Sequence, residues 1–384
     1  MSRRLCFVIS NSYALNTFLA DPICRLARDG WQIDVVYNDA DGQASEVIAR
    51  AATLRPQPLV RPIAPLRDLV NLWRLWRLFR RERYQVIHSV TPKAGLLAMV
   101  AGRLAGVPRR IHTFTGQVWA TRGGATRRLL QSMDILLAKC ATDLLADSPS
   151  QREFLVNEGV VPMDRVGVLA RGSICGVSTE RFRPNASMRV AIRLQWGVSD
   201  NTVVLLYLGR LHREKGLLEL TAASGNLVRQ GVPLALVMAG PDEGVLDEVR
   251  HLARQAKMKV CFVGMTSQPE YQFAAADIFC LPSYREGFGL SLIEAASAGL
   301  PSVATRIYGV TDAVVDGETG LLVPPGDVAA LETALHELIL DSSLRSQMGI
   351  QARIRATKHF SREVLMQAWS AYYSQGKGSL SKAD

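Results

Sequence analysis

Clustered cysteine, clustered histidine and long apolar runs are all missing from this 384-residue sequence, and each absence removes a class of protein. The six cysteines, Cys6, Cys24, Cys140, Cys175, Cys261 and Cys280, are scattered, with no C-x-x-C pair. That spacing argues against a zinc site or a disulfide framework and fits a reducing compartment. The six histidines show no ligand spacing either, so no metal is expected. The longest apolar stretch, AGLLAMVAGRLAGV at 94–107, is interrupted by Arg103 and is too short to span a bilayer. The start, MSRRLCFVIS, looks like an export signal only superficially, because polar Asn11, Ser12 and Asn16 follow its short apolar run. A first buried strand is expected there. The chain then reads as cytoplasmic, soluble or peripheral on the inner face of the plasma membrane. A G-x-G-x-x-G turn is also missing: VISNSYALNTF contains no glycine, and LGRLHREKG is the nearest approach in the second half. A dinucleotide-binding dehydrogenase is therefore excluded.

What is present is a repeating pattern. LCFVIS, QIDVVYN, QVIHSV and RRIHTFT are short apolar strands separated by amphipathic helices. The pattern restarts near residue 202 with TVVLLYLG, LALVMAG, VCFVG, IFCLPS, PSVAT and GLLVP. Strand–helix alternation of this kind predicts parallel sheets covered on both faces. The length suits two such domains. The boundary is expected at Pro184, giving domains 1–183 and 184–360, with a last helix at 361–375 packing back on the first. Two doubly wound α/β domains facing across a cleft would bind ligand at their strand ends.

Charge is uneven. Residues 1–190 carry 27 Lys and Arg against 15 Asp and Glu, a net +12, and the remainder carry 18 against 20, a net −2. The first half is the candidate for meeting something anionic.

The stretch REGFGLSLIEAASAG, 285–299, places Glu286 on a glycine-broken turn and Glu294 inside the helix that follows. Unpaired N–H groups from Gly287, Phe288, Gly289 and Leu290 would make an anion site at the helix start. Glu294 stands roughly 7.5 Å further along the axis at about 1.5 Å per residue, a suitable reach from a diphosphate to its ribose. Alternatively, Glu286 complements the helix dipole and Glu294 is solvated. In LYLGRLHREKG, Arg210 and Lys215 follow the first strand of the second domain and could neutralise a leaving diphosphate. Taken alone, that loop also reads as solvated charge.

Together, LGRLHREKG, ADIFCLPSYREGFGLSLIEAASAGLPSVAT and DGETGLLVPPGD resemble family 4 glycosyltransferases of the GT-B fold. HSVTPKAGLLAMVAGRLAGVPRRIHTFTG resembles the branch that builds bacterial polysaccharide and O-antigen, and the likeness covers essentially the whole chain. It implies a retaining transferase that takes a nucleotide sugar, usually a UDP-sugar, without a metal. By resemblance, Arg210 and Lys215 bind the diphosphate and Glu286 the donor-sugar hydroxyls. Gly287 to Leu290 then hold the phosphate and Glu294 the ribose. Where many relatives have histidine in a T-F-H-G turn, this chain has Thr115 in TFTG. His112, three residues earlier, points to the other face of a strand, so Thr115 is the stronger pocket candidate. GSICGVSTERF replaces the usual Asn-Gly-Val-Asp with Cys175 and Ser178 among its residues, and the usual glycine pair after the first strand is missing.

LVNLWRLWRLFRRERYQ spaces Leu69, Leu72, Trp73, Trp76 and Phe79 helically among Arg74, Arg77, Arg80, Arg81 and Arg83. Most of that stripe is expected to pack on the sheet, with its edge reaching an anionic membrane. Arg122, Arg127 and Arg128 form a second basic cluster, and Lys93 joins the acceptor-side set. The expected reaction moves an N-acetylated hexose or deoxy derivative from a UDP-sugar to a polyprenyl-diphosphate-linked acceptor. An epimerase of the same fold and a sugar-nucleotide sensor without turnover are the alternatives. No nucleic-acid recognition motif is present.

Overall fold

The computed structural model describes residues 3–40, 42–60 and 64–374. Its contacts divide into two compact units, Met1–Cys175 with Arg362–Asp384, and Gly176–Ser361. The division falls earlier than Pro184 because Val177 and Phe182 already sit in the second unit's core. The Ser297 hydroxyl, also in the second unit, donates to the Phe182 carbonyl at 2.6 Å.

The first unit is built on seven parallel strands: β1 (Arg3–Val8), β2 (Trp31–Tyr37), β3 (Thr53–Pro56), β4 (Val86–Ser89), β5 (Arg109–Phe114), β6 (Asp143–Ala146) and β7 (Val166–Val168). Their order is β3-β2-β1-β4-β5-β6-β7. Four of these follow from apolar patterning. TLRP, DLLA and VGV were not anticipated, being too short or too polar to carry a period-2 signal. Its helices include α1 (Ala20–Arg28), α2 (Pro65–Glu82), α3 (Pro92–Leu104) and α4 (Gly124–Cys140). Residues of α2, α3 and α4 share one hydrophobic cluster with Cys6, Val8 and Ile87, whereas α1 shares the other with Leu5 and Phe7. Alternate residues of β1 thus feed two cores, as the pleat requires.

The second unit holds β8 (Val203–Leu208), β9 (Leu234–Ala239), β10 (Val260–Gly264), β11 (Ile278–Leu281), β12 (Ser302–Thr305) and β13 (Gly320–Val323), in the order β10-β9-β8-β11-β12-β13. These are the six strands expected from sequence, and all pair in parallel. Parallel strands covered on both faces are apolar throughout, which made them legible. Helix α5 (Leu290–Ser297) follows β11, and Gly299 in the left-handed region ends it.

The chain returns to the first unit as α6 (Arg362–Ser374); position 375 of the expected 361–375 helix lies outside the described residues. Trp369 donates its indole N–H to the Ile174 carbonyl at 2.7 Å, and Arg362 pairs with Asp21 of α1 at 2.9 Å. Tyr373 bonds His88 Nδ1 at 2.7 Å, and His88 Nε2 bonds Thr113 Oγ1 at 2.8 Å. Burial pushes His88 well below the usual histidine range, with His112 and Arg109 adding to the effect. It is a neutral anchor for α6, and nothing in the strand pattern distinguished it.

Candidate active site

Glu286 is the centre of the second unit's polar cluster. Its Oε1 accepts from Lys215 Nζ at 2.6 Å and from Ser283 Oγ at 2.8 Å. Lys215 and Glu286 are each only 15% exposed, so the pair is weakly screened. Ser283 is fully buried, and Thr305 donates its hydroxyl to the Ser283 carbonyl from β12. The sequence reading missed Ser283, although its place in the strand-to-turn segment before Glu286 was the available signal.

Backbone geometry brings the pair together. Gly216 has φ +68, and a Cβ there would stand 2.0 Å from the Pro282 carbonyl oxygen. Only glycine lets the Lys215 loop lie this close to the exit of β11. The loop is also fastened by Tyr284 N–H donating to the Glu214 carbonyl at 2.9 Å and by the Arg285–Glu214 ion pair at 3.0 Å. Gly289 caps α5 at φ 81, without a side-chain cap. Among the described residues, none of the backbone N–H groups from Gly287 to Leu290 donates a backbone or side-chain hydrogen bond. The Phe288 ring is buried and meets Phe360 edge-on, 5.2 Å between centroids. Of the expected donor-binding set, Phe288 can therefore contribute its backbone alone.

Arg210 pairs with Glu243 at the end of β8, and Tyr207 Oη donates to the Arg210 carbonyl at 2.8 Å. Burial raises the Tyr207 phenol well above its ordinary range, helped by the Glu286 and Glu243 carboxylates and opposed by Arg210. Both expected diphosphate cations are thus held on carboxylates, which the sequence did not reveal. Glu294 is half-buried in α5 rather than solvated. Burial pushes its carboxyl up to about 8, with Arg181 pulling it down and Glu270 pushing it further up. Near pH 7 it mostly carries a proton.

In the first unit, His112 is 1% exposed, and its Nδ1 bonds Ser89 Oγ at 2.8 Å. Burial alone pushes it down to about 3, so it is neutral. The expected catalytic candidate His112 is thus a buried sheet histidine, closed in by Gly95, where a Cβ would approach to 2.5 Å. Thr115 lies half-buried just beyond β5, its hydroxyl 3.5 Å from the Val90 carbonyl. The following loop is pinned by Trp119, whose indole donates to Asp134 at 2.7 Å. Burial raises that carboxyl to about 6, and the Trp119 bond lowers it.

The expected packing stripe of α2 is only partly buried. Leu75, Leu78 and Phe79 are buried, but Leu69 is exposed, as are Trp73 at 52% and Trp76 at 36%. The tryptophans lie on the outer face because Leu75 and Leu78 supply a better-directed apolar row to the core. Arg77 lies over the Trp73 ring, 5.4 Å from its centroid. Arg74, Arg80, Arg81 and Arg83 are exposed. Lys93, of the expected acceptor-side set, forms an ion pair with Asp68 at 2.6 Å, both side chains largely buried, tying α3 to α2. Arg127 pairs with Glu158 at 2.7 Å, while Arg122 and Arg128 are exposed. Across residues 64–140 no acid is exposed; Asp68 and Glu82 are half-buried and Asp134 is buried.

Residues 189–355 match the family described as glycosyl transferases group 1, and residues 15–172 match the glycosyl transferase 4-like domain. The capsular polysaccharide biosynthesis glycosyltransferase CapM of Staphylococcus aureus is 31% identical over 83% of each chain. The chain belongs to the family 4 glycosyltransferases. An Escherichia coli relative of this glycosyltransferase, named UDP-Gal:alpha-D-GlcNAc-diphosphoundecaprenol alpha-1,3-galactosyltransferase, is 26% identical over 74% of each chain. The solved structure of Anabaena HepE with UDP and glucose superposes with TM-score 0.79 at 20% identity, covering 98% of this chain and all of that one. A sucrose-phosphate synthase from Thermosynechococcus elongatus gives TM-score 0.79 at 22% identity, covering 97% and 98%. The glycosyltransferase thus has the GT-B fold.

Proposed function

We propose that this glycosyltransferase is a retaining enzyme of bacterial surface polysaccharide synthesis. It moves an N-acetylated hexose or deoxy derivative from a UDP-sugar to a polyprenyl-diphosphate-linked acceptor at the cytoplasmic face of the membrane. The observation that carries the reading is the Lys215–Glu286–Ser283 cluster beside the undonated N–H groups at the head of α5. A diphosphate fits the N–H groups and the cations, and a sugar hung from it fits the Glu286 carboxylate. Glu294 receives the ribose. Thr115 is the proposed pocket residue of the first unit.

In the proposed reaction the anomeric C–O bond breaks and its electron pair leaves with the diphosphate. Lys215 and Arg210 stabilise that growing charge. The acceptor hydroxyl attacks the face just vacated, and its proton passes to the departing diphosphate. Two fixed cations supply the charge, so no metal is proposed. Among the described residues, no three His, Cys, Asp or Glu side chains gather as a metal-binding group.

The acceptor reading draws on the E. coli relative's name and on the outer face of α2 with Trp73, Trp76, Arg74 and Arg77. An anionic bilayer suits exposed tryptophan and arginine with no exposed acid nearby. Incubation with a panel of labelled UDP-sugars, with and without membrane extract, tests the whole reading. Transfer of label to extractable lipid, persisting in EDTA, is expected. Epimerised nucleotide sugar without transfer, or turnover lost in EDTA and restored by Mn²⁺, would overturn it.

A further inference from the structure

We propose that Glu243 is a built-in competitor of the donor's diphosphate, setting nucleotide affinity through its hold on Arg210. The inference rests on reading Arg210 as a diphosphate ligand. Glu243 is not a chance neighbour. Its backbone N–H donates to the Leu211 carbonyl at 2.8 Å, and Leu211 N–H donates to the Pro241 carbonyl at 2.8 Å. The loops after β8 and β9 are zipped together by these bonds. Gly240 lies so close to Gly209 that a Cβ would stand 1.8 Å from its carbonyl oxygen. Asp242 fixes the other side, accepting from the backbone N–H groups of Gly244 and Val245 at 3.0 and 3.2 Å. The carboxylate is delivered to the guanidinium by a rigid backbone.

Arg210, Lys215, Glu243 and Glu286 sum to zero charge, a poor environment for a diphosphate. One carboxylate must yield for the cations to act on the nucleotide. Glu286 is enclosed by Lys215 and Ser283 and is assigned to the sugar, whereas Glu243 and Arg210 are 35% and 41% exposed. Glu243 can rotate into water, so it is the acid that leaves. The competition costs affinity for free UDP and, by the same amount, helps UDP depart after transfer.

Titration calorimetry with UDP tests this. At low ionic strength Glu243→Gln should bind UDP about three- to tenfold more tightly than the unaltered protein, the scale of a half-exposed ion pair. The difference should shrink with added salt. Glu243→Asp keeps the charge and should stay within about twofold of the unaltered protein. Glu248→Gln, which removes the partner of Arg213 outside this cluster, should not tighten binding. A Glu243→Gln protein that melts normally yet binds UDP equally or more weakly, while Arg210→Gln loses affinity, would make Glu243 an orienting group and sink the proposal. If Arg210→Gln binds UDP normally, the assignment of Arg210 falls, and this inference with it.

Discussion

Basic side chains are used in opposite ways at the strand ends of the second unit and on the outer face of the first unit's helices. Around β8 and β11, Arg210, Lys215, Arg213 and Arg285 each pair with a carboxylate. Over α2 to α4, Arg74, Arg77, Arg80, Arg103 and Arg128 face water with no exposed acid among them. Paired charge is pre-aimed, and where it is largely buried, as in Lys215–Glu286, it resists salt; exposed charge of one sign acts at a distance and is screened. The first arrangement suits a small anion bound at one place, the second a broad anionic surface.

The sharpest way to break this contrast is to remove a paired cation. Lys215→Ala or Arg210→Ala should lower kcat on the order of 10²–10³, as the loss of a fixed donor to a developing anion does. Stopped assays on the folded variants decide it. A loss confined to KM would mean that these cations hold the ground state and the transition state equally.

The exposed set is tested by changing Arg74, Arg77, Arg81 and Arg83 together to Gln. At about 1 kcal/mol per residue near an anionic surface, vesicle binding should fall by well over tenfold. Circular dichroism and UDP affinity should hold, a necessary control because arginine stems also cover apolar surface. Full co-sedimentation of the folded variant would reduce α2 to packing. Indifference of the unaltered protein to anionic vesicles would point to a soluble acceptor instead.

Glu294 sharpens the comparison through pH. Its folded value near 8 lies above its ordinary value, so its contribution to stability is complete at low pH and lost as pH rises from about 4.5 through about 8. Ribose hydroxyls donate best to the ionised form, so UDP affinity should move oppositely, rising about tenfold between pH 7 and pH 9. Glu294→Gln should flatten that profile. A profile unchanged by the substitution would separate Glu294 from the ribose. The smallest effect is expected from Ser283→Ala, which removes one of two donors to Glu286. A loss of roughly fivefold in kcat with unchanged UDP affinity is expected; a matching loss in UDP affinity would show a looser site rather than a misplaced Glu286.

Much of the architecture is legible in the sequence. The six strands of the second unit were legible because each is an apolar run bounded by glycine, proline or polar residues. Arg210, Lys215, Glu286 and the glycine turn stood out because charged and conformationally permissive residues interrupt otherwise apolar segments. β3, β6 and β7 were not legible: three or four residues carry too little period to separate strand from loop.

Sequence alone determined the two α/β halves, the lopsided charge and the residue types of the donor turn, since these depend on local pattern and composition. Tertiary structure decided which charges meet. Lys215 and Glu286 are 71 positions apart and Arg210 and Glu243 are 33 apart, and their pairing depends on loops that close only when β8 lies beside β9 and β11. It also turned Trp73 and Trp76 outward and enclosed His112, because the face a side chain takes is settled by the best-packed row against the sheet, which helical spacing alone does not specify.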